Sequence, residues 1–250
     1  MREHSHSGAR TRRGGRALLL SAAGALTLLA AGAEIDAAQA ALPQQAGRAD
    51  LGSDVQLRID GAIGGGRTGA AVAGAGDVNG DGRGDVVVGA PQETARGRSG
   101  SGSAYVIFGT EAPTRVDLAQ VGARGFRIDG AADGDRLGTA VGGAGDVNGD
   151  GLADVVLGAP EADAHGRGGS GSAFVVFGRR ETPAAVDLAA LGGAGFRIDG
   201  AAALDNAGAA VAGAGDVNGD GRADLVVGAP RAGNADRPGS GWAHVVFGRG

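Results

Sequence analysis

The chain contains no cysteine and no lysine, and it has one tryptophan, one tyrosine and one methionine among its 250 residues. Without cysteine the protein cannot form disulfides, zinc–thiolate sites or a thiol nucleophile. All 23 basic residues are arginines, whose guanidinium groups suit pairing with carboxylates at a surface. The composition therefore excludes a disulfide scaffold and thiol chemistry, and it directs attention to the glycines and aspartates.

Glycine is abundant, with 53 residues, a level that in isolation would suggest a disordered chain. The apolar segments nevertheless recur at fixed positions, and many of the glycines lie in acidic loops and in Gly-Ser turns between them. Short β-branched segments separated by turn residues are typical of strands. The sequence therefore predicts a folded, turn-rich, all-β protein.

The N-terminus has the anatomy of a signal peptide. Five arginines precede an uncharged run at 17–33, and Ala38-Gln39-Ala40 offers a small-x-small cleavage site. A second possible site is Ala31-Gly32-Ala33. The alternative is an uncleaved membrane anchor, but 17 residues rich in alanine and glycine are short and weakly apolar for a span. We expect a secreted or extracytoplasmic protein, in the periplasm or at the cell surface, with no membrane span after cleavage.

Net charge argues against a nucleic-acid partner. Removal of residues 1–40 takes away five arginines and three acidic residues, which leaves 18 basic and 25 acidic side chains and a net charge of −7. Nucleic-acid-binding domains are instead basic, with clustered lysines and arginines. Bound cations would offset much of this negative charge.

One acidic motif, Asp-Val-Asn-Gly-Asp-Gly-x-x-Asp, occurs three times, with starts 69 and 70 residues apart. Positions 1, 3, 5 and 9 provide side-chain oxygen, and position 7, which varies, would provide only its backbone carbonyl. Hard cations prefer several oxygens from one tight loop, so the motif predicts calcium binding, with one ion per loop and about three ions in all. The predicted ligands, in the order of positions 1, 3, 5, 7 and 9, are Asp77, Asn79, Asp81, Arg83 and Asp85; Asp146, Asn148, Asp150, Leu152 and Asp154; and Asp216, Asn218, Asp220, Arg222 and Asp224.

Two other interpretations of the motif are weaker. An EF-hand loop closes with glutamate at position 12, where this chain has Val88, Leu157 and Val227. Ordinary polar turns also use Asp, Asn and Gly, but three loops that each hold three uncompensated carboxylates would repel themselves. Magnesium fits less well than calcium because it keeps several waters and takes fewer protein ligands.

Other landmarks share the same period and define a repeated unit of four strands. Arg-Ile-Asp-Gly recurs at 58–61, 127–130 and 197–200, and an aromatic strand ending in Phe-Gly closes each unit at Gly109, Gly178 and Gly248. Four strands per repeat, arranged radially, form a propeller blade. The strand before each acidic loop consists mainly of Ala, Gly and Val, as a crowded central strand requires. Between blades, residues 116–121 and 186–191 predict one short helical turn.

These motifs resemble the FG-GAP repeat of integrin α-subunit propellers and of many bacterial secreted proteins. The match rests on the acidic motif, the following Gly-Ala-Pro and the aromatic strand, and it covers about residues 57–250. The resemblance implies that calcium lies in the hairpin loop between the first two strands of each blade, held by the residues named above.

The sequence departs from the family in two ways. Only the glycine of the family's opening Phe-Gly is kept, at Gly69, Gly138 and Gly208. The family usually has about seven blades, whereas three repeats fall below the range of roughly four to eight. The fold class is thus all-β, with three four-stranded blades of a partial or truncated propeller. The leading strand at Leu57–Gly61 would suit closure onto the last blade, or another chain would pair there.

We interpret the chain as a calcium-binding propeller module for extracellular recognition, adhesion or envelope structure, and not as an enzyme. Its partner would be an extracellular protein or glycan, and open blade faces would allow self-association. The alternative is an accessory region of a secreted hydrolase whose catalytic part lies elsewhere. His165 and His244 do not repeat, and no serine lies in a nucleophile-elbow motif. The predicted divisions are a signal peptide at 1–40, a linker at 41–56, and repeats at 57–125, 126–195 and 196–250.

Overall fold

A computed structural model describes residues 51, 57–112, 114–181, 183–233 and 236–249 of the chain. Within these residues the protein is all-β, with fourteen strands, four short 3₁₀ turns and no α-helix. The 3₁₀ turns span Leu118–Gln120, Gly122–Arg124, Leu188–Ala190 and Gly192–Ala194. The strands are β1 (Leu57–Asp60), β2 (Ala71–Gly76), β3 (Asp85–Ala90), β4 (Ser103–Ile107), β5 (Thr114–Asp117), β6 (Gly125–Asp129), β7 (Ala140–Gly145), β8 (Asp154–Ala159), β9 (Ser172–Val176), β10 (Ala185–Asp187), β11 (Gly195–Asp199), β12 (Ala210–Gly215), β13 (Asp224–Ala229) and β14 (Trp242–Val246).

The strands form three antiparallel blades. Blade 1 has the order β2-β3-β4-β6, and blade 2 has the order β7-β8-β9-β11. Blade 3 consists of β12-β13-β14, so in the described residues it has three strands. The expectation of three four-stranded blades is therefore wrong for the last one. The reason lies in the chain order, since each outer strand comes from the sequence after its blade.

The outer strands connect one repeat to the next. In blade 1 Phe126 of β6 pairs with Val106 of β4, and in blade 2 Phe196 of β11 pairs with Val175 of β9. Each outer strand thus belongs to the Phe-Arg-Ile-Asp segment that opens the next sequence repeat. The predicted repeat divisions remain a sequence description, because hydrogen bonding joins strands across them.

Two short strands were not anticipated from the sequence. β5 pairs in parallel with β1, and β10 pairs in parallel with β6 at the outer edge of blade 1. Each of these strands leads into a 3₁₀ turn, whose first amide is capped by the side chain of Asp117 or Asp187. The predicted helical turns therefore exist, but the residues before them belong to the sheets.

The leading strand β1 does not close onto the last blade. Its only strand partner in the described residues is β5. Leu57 and Ile59 pack with Tyr105, Ile107 and other side chains of one apolar cluster beside blade 1. The expected closure onto β14 by the same chain is therefore wrong for this structure, and the sheets do not close into a ring.

The small residues of the inner strands allow close contact between blades, as the sequence predicted. β7 lies beside both β2 and β12. A Cβ atom at Gly213 of β12 would come within 2.7 Å of the carbonyl oxygen of Gly143 in β7. Since real Cβ atoms do not approach backbone so closely, only glycine fits there. The inner strands thus pack backbone against backbone.

Apolar clusters fill the spaces between the blades. Ile128, Leu157 and Phe174 belong to one buried cluster that spans blades 1 and 2. A second cluster, which includes Val175 and Leu225, joins blades 2 and 3. In the part of the chain that the structure describes, no helix has the length and apolar character needed to cross a bilayer. The predicted signal peptide lies outside the described residues.

Candidate metal-binding loops

Each acidic motif lies at the same place in its blade. The three loops connect β2 to β3, β7 to β8 and β12 to β13, which are the first two strands of each blade. The hairpins end in a register shift, for example between Gly143 and Gly145 in blade 2. The placement that the resemblance implied is therefore correct for all three loops.

The second loop illustrates the hydrogen bonds that hold its backbone. Asp146 accepts three amide hydrogens: its Oδ1 is 2.7 Å from the nitrogen of Gly149 and 3.0 Å from that of Asp150, and its Oδ2 is 2.8 Å from that of Gly151. The Asn148 Oδ1 accepts from the amide of Asp150, and the Asp150 Oδ1 accepts from the amide of Leu152. The carboxylates therefore shape the loop, which turns on itself around the first aspartate.

The same network recurs in the other two loops. Asp77 and Asp216 each accept three amide hydrogens at distances within 0.1 Å of those in the second loop. Glycine at position 6 has a φ of 85 to 87°, a left-handed conformation that favours glycine, in Gly82, Gly151 and Gly221. Three separate segments thus fold into one geometry, as expected when one chemistry determines the sequence.

The aspartate at position 9 is buried. In blade 2 the Asp154 Oδ2 accepts from the amide of Val147, and the Oδ1 accepts from the amide of Gly178, which follows the aromatic strand β9. Asp85 and Asp224 make the equivalent bonds. This carboxylate therefore joins the acidic loop to the end of the third strand, a link that the linear sequence does not reveal.

Burial changes the acidity of these carboxyl groups. It raises the pKa of Asp154 to about 6 and also raises the pKa of Asp85, against the opposing effect of the amide hydrogen bonds. The amide of Asn79 instead lowers the pKa of Asp81, which is exposed. Among the described residues no ion pair involves a carboxylate at position 9. A nearby cation would therefore offset an uncompensated buried charge.

The side chains at position 7 point away from the loop. Leu152 is buried and lies against the neighbouring loop, where a Cβ at Gly80 would be 2.9 Å from its Cδ2. Arg83 forms an ion pair with Glu111 and is 4.0 Å from Asp81. Because position 7 can be leucine or arginine, only its backbone carbonyl is a common ligand candidate, as the sequence predicted.

The structure fits a hard cation in donor chemistry but does not assemble a finished site. In the residues that the structure describes, no three His, Cys, Asp or Glu side chains come together closely enough to hold a metal. Each loop nevertheless provides carboxylate, amide and carbonyl oxygens within nine residues, and no sulfur or imidazole. Such a set fits calcium, and the ligand assignments remain predictions.

Neighbouring loops are also tied to one another by main-chain bonds. The carbonyl of Asp77 accepts from the amide of Ala153 at 3.0 Å, and the carbonyl of Asp146 accepts from that of Ala223 at 2.9 Å. The amide of Arg179 donates to the carbonyl of Val78 at 2.8 Å. The order of each loop is therefore coupled to the packing of the next blade.

Neither histidine of the described region belongs to a catalytic constellation. The Nε2 of His165, in an exposed loop, is 3.0 Å from Asp199. His244 is exposed on β14, with its ring edge-to-face against Trp242. Sequence reasoning missed the buried pair of Glu93 and Tyr105, 2.7 Å apart. The signal was that Glu93 occurs where the other repeats have alanine.

The strand order and the loops define the class of this protein: blades of a β-propeller, each with an acidic loop between its first two strands. The sequence profile of the FG-GAP repeat matches the chain at residues 68–107, 137–176 and 207–245. The chain therefore carries three FG-GAP repeats. Each match begins shortly before the first strand of a blade and ends at or within the third, so the outer strands lie outside the matches.

Similar proteins include integrins and phospholipases. Integrin alpha pat-2 of Caenorhabditis elegans is 33% identical over 169 residues, which cover 64% of this chain and 13% of the integrin. Phosphatidylinositol-glycan-specific phospholipase D is 33% identical over 162 residues in Homo sapiens, with 62% of this chain and 18% of the relative covered. The Mus musculus protein is 37% identical over 109 residues, with 42% and 12% covered. The chain thus spans less than a fifth of the length of each relative.

Proposed function

We propose that the protein is a secreted propeller module that binds one calcium ion in each acidic loop and recognises an extracellular protein or glycan. The observation that supports this most is the repetition of one hydrogen-bond network in three loops at equivalent hairpins. Turns that only reversed the chain would not need three carboxylates each. Selection for an oxygen-rich loop explains why aspartate is kept at positions 1, 5 and 9 of every copy.

The proposed ligands are the side chains at positions 1, 3, 5 and 9 and the carbonyl at position 7. A bound ion would supply positive charge to a cluster of carboxylates that otherwise repel one another. The chain's own groups would orient the loop, because Asp146 and its equivalents already accept three amide hydrogens. The buried aspartate at position 9 would extend this ordering to the third strand through Gly178 and its equivalents.

Calorimetric titration of the purified, chelator-stripped protein with calcium tests the proposal. We expect about three ions per chain, with affinities between micromolar and millimolar. Magnesium at equal concentration should bind more weakly. Absence of calcium uptake would overturn the proposal, and uptake by only one loop would restrict it to that loop.

Recognition is assigned to the loops that vary between blades, at about 92–101, 161–170 and 231–240. A rigid scaffold with variable loops is the usual arrangement for binding surfaces. Extracytoplasmic location is supported by the arginine-led apolar segment and the small-x-small sites at its end. Export of a tagged full-length chain, with shortening at Ala33 or Ala40, is the expected result. Retention of the intact chain in the cytoplasm would contradict the proposed location.

A second candidate is supported by the names of the relatives. Several are phosphatidylinositol-glycan-specific phospholipases D, and the aligned parts cover at most 18% of those enzymes. The chain would then be an accessory propeller region that accompanies a hydrolase. Measured hydrolysis of a phosphatidylinositol-glycan by the purified chain would favour this candidate over the non-catalytic module that we propose.

A further inference from the structure

The outer edge of β14 has no strand partner in the described residues. In blades 1 and 2 the equivalent strands, β4 and β9, are covered by β6 and β11 and are buried along their whole length. β14 is exposed at four of its five residues, Trp242–Val245, and only Val246 is half-buried. Blade 3 therefore presents an open edge where the other blades have an outer strand.

The aromatic pattern identifies what is missing. Phe108 packs on Phe126 with ring centroids 6.2 Å apart, and Phe177 packs on Phe196 at 6.0 Å. In each pair one ring follows the third strand and the other belongs to the outer strand. Phe247 is the third member of the series, is 52% exposed, and forms no such pair. Blade 3 thus lacks an apolar residue from an outer strand.

β1 has the converse deficiency. Its sequence, Leu-Arg-Ile-Asp, corresponds to Phe-Arg-Ile-Asp of β6 and β11. β6 has two partners, β4 antiparallel on one edge and β10 parallel on the other. β1 has only the parallel partner, β5. It therefore lacks an antiparallel third strand, which is the kind of strand that β14 is.

We propose that β1 of a second copy pairs antiparallel with β14 and completes blade 3. The pairing of β11 with β9 sets the register: Phe196 opposite Val175 and Arg197 opposite Phe174. Transferred to the new pair, Leu57 lies opposite Val245 and Arg58 lies opposite His244. Leu57 then takes the position that brings Phe126 and Phe196 against their partner rings, and it covers Phe247.

A cavity beside β14 fits the residues that precede β1. It lies between β11 and β14 and is lined by Ile198, Ala207 and Trp242, among others. Between blades 1 and 2 the leucine of a Val-Asp-Leu segment, Leu188, is buried in the shared cluster. Leu51 follows Asp50 in a similar Ala-Asp-Leu segment before β1 and is 86% exposed. Insertion of Leu51 of the second copy would fill the cavity, although its spacing to the strand is two residues shorter.

A second copy is a better occupant than the same chain. β1 already packs beside blade 1 through Leu57 and Ile59, and closure of three blades on themselves would fall below the range of about four to eight. Two copies joined head to tail provide six blades, within that range. Because the contact is heterologous, it closes into a ring only if its rotation fits, and two copies would then contain two identical junctions.

The absence of cysteine allows a direct test by disulfide cross-linking. Arg58→Cys and His244→Cys are made in separate full-length chains, which are mixed with calcium present and oxidised. Residues opposite each other in an antiparallel pair have Cα atoms about 4.5–5.5 Å apart, within the range that a disulfide spans. The expected product is a cross-linked heterodimer, at least tenfold more abundant than with Arg115→Cys, an exposed position on β5, in place of Arg58→Cys.

The outcomes separate the alternatives. Each single variant alone should give no cross-linked dimer, because a head-to-tail contact does not bring identical residues together. Sedimentation should show a dimer of the cysteine-free protein that Val245→Asp converts to a folded monomer with an unchanged circular dichroism spectrum. A monomer at all concentrations, open-ended larger species, or an internal disulfide in a monomeric Arg58→Cys/His244→Cys chain would overturn the proposal. None of these readouts depends on which ion the loops bind.

Discussion

Gly143 of β7 lies against Gly74 of β2 so closely that a Cβ atom at position 143 would be 2.6 Å from the carbonyl oxygen of Gly74. The two glycines belong to the inner strands of neighbouring blades. The reverse is not true, since a Cβ at Gly74 would meet no atom within 4 Å. The contact is therefore asymmetric, and the two positions form a matched pair for mutation.

Gly143→Ala should destabilise the protein by about 1–3 kcal/mol, because backbone atoms of two blades would have to move apart. Gly74→Ala should have a small or stabilising effect, since it restricts the unfolded chain without a clash. Urea unfolding of both variants measures the difference. Equal midpoints for the two variants would contradict the packing of the inner strands.

The fold was predictable from the sequence wherever one blade determines its own structure. The Ala-Gly-Val strands, the acidic hairpins and the 3₁₀ turns each have a local signal. β5 and β10 were not predictable: β10 is three residues long, and both strands pair in parallel with an outer strand of another repeat. The partner of β1 was missed for the same reason, because it is 55 or more residues away in sequence.

The candidate site divides in the same way. The side chains at positions 1, 3 and 5 bond amides within five residues, so their arrangement follows from the motif. Asp154 instead bonds the amide of Gly178, 24 residues further along. Its burial, and hence the raised pKa, depends on how β8 and β9 pack. Sequence spacing alone does not reveal that position 9 joins a loop to the far end of its blade.

Calcium should raise the thermal midpoint of the protein, and loss of one loop should reduce that rise. An ion that binds only the folded state at 100 times its Kd contributes about 2.7 kcal/mol per site. Asp150→Ala removes a proposed ligand of the second loop, while Asp133→Ala removes an exposed aspartate outside the three motifs.

Melting curves of both variants are recorded with calcium and with chelator. Because Asp150 also accepts the amide of Leu152, Asp150→Ala should melt lower in either condition. The informative quantity is the calcium-induced shift, which should fall by about a third in Asp150→Ala and stay unchanged in Asp133→Ala, given three similar sites. An undiminished shift in Asp150→Ala would exclude this loop as a calcium site.

Asp135 should make the protein less stable as pH rises through the acidic range. Burial raises the pKa of this carboxyl group above its ordinary value, against the hydrogen bond that it accepts from the amide of Ala132. A folded-state pKa above the unfolded one means that the folded protein holds the proton more tightly. The contribution is thus favourable below the unfolded pKa of about 3.9 and is lost as pH rises through the folded pKa.

Asp135→Asn keeps an oxygen that can accept from Ala132 and removes the buried charge. We therefore expect this variant to melt higher than the natural protein at pH 7, with the difference shrinking toward pH 4. Thermal unfolding at several pH values measures both effects. A variant that melts lower at pH 7 by the same amount as at pH 4 would show that the charge carries no penalty.

Tyr105 and Glu93 form a buried pair found in blade 1 alone. The tyrosine hydroxyl donates to the Glu93 Oε2 at 2.7 Å, and both side chains are almost fully buried. In blade 2 the equivalent residues are Phe174 and Ala162, both buried and apolar. The two blades therefore solve one packing problem with either a hydrogen-bonded pair or an apolar pair, and mixtures of the two should fail.

Tyr105→Phe alone should destabilise the protein by about 1–3 kcal/mol, because it leaves the Glu93 carboxyl group buried without its donor. Glu93→Ala alone leaves the tyrosine hydroxyl unpaired and also creates a cavity. The double variant Tyr105→Phe/Glu93→Ala reproduces the blade 2 pair and should be less destabilised than the sum of the single variants. Urea unfolding of all four proteins gives the interaction free energy of the cycle. Additive losses would mean that the hydroxyl and the carboxyl group do not interact in the folded protein.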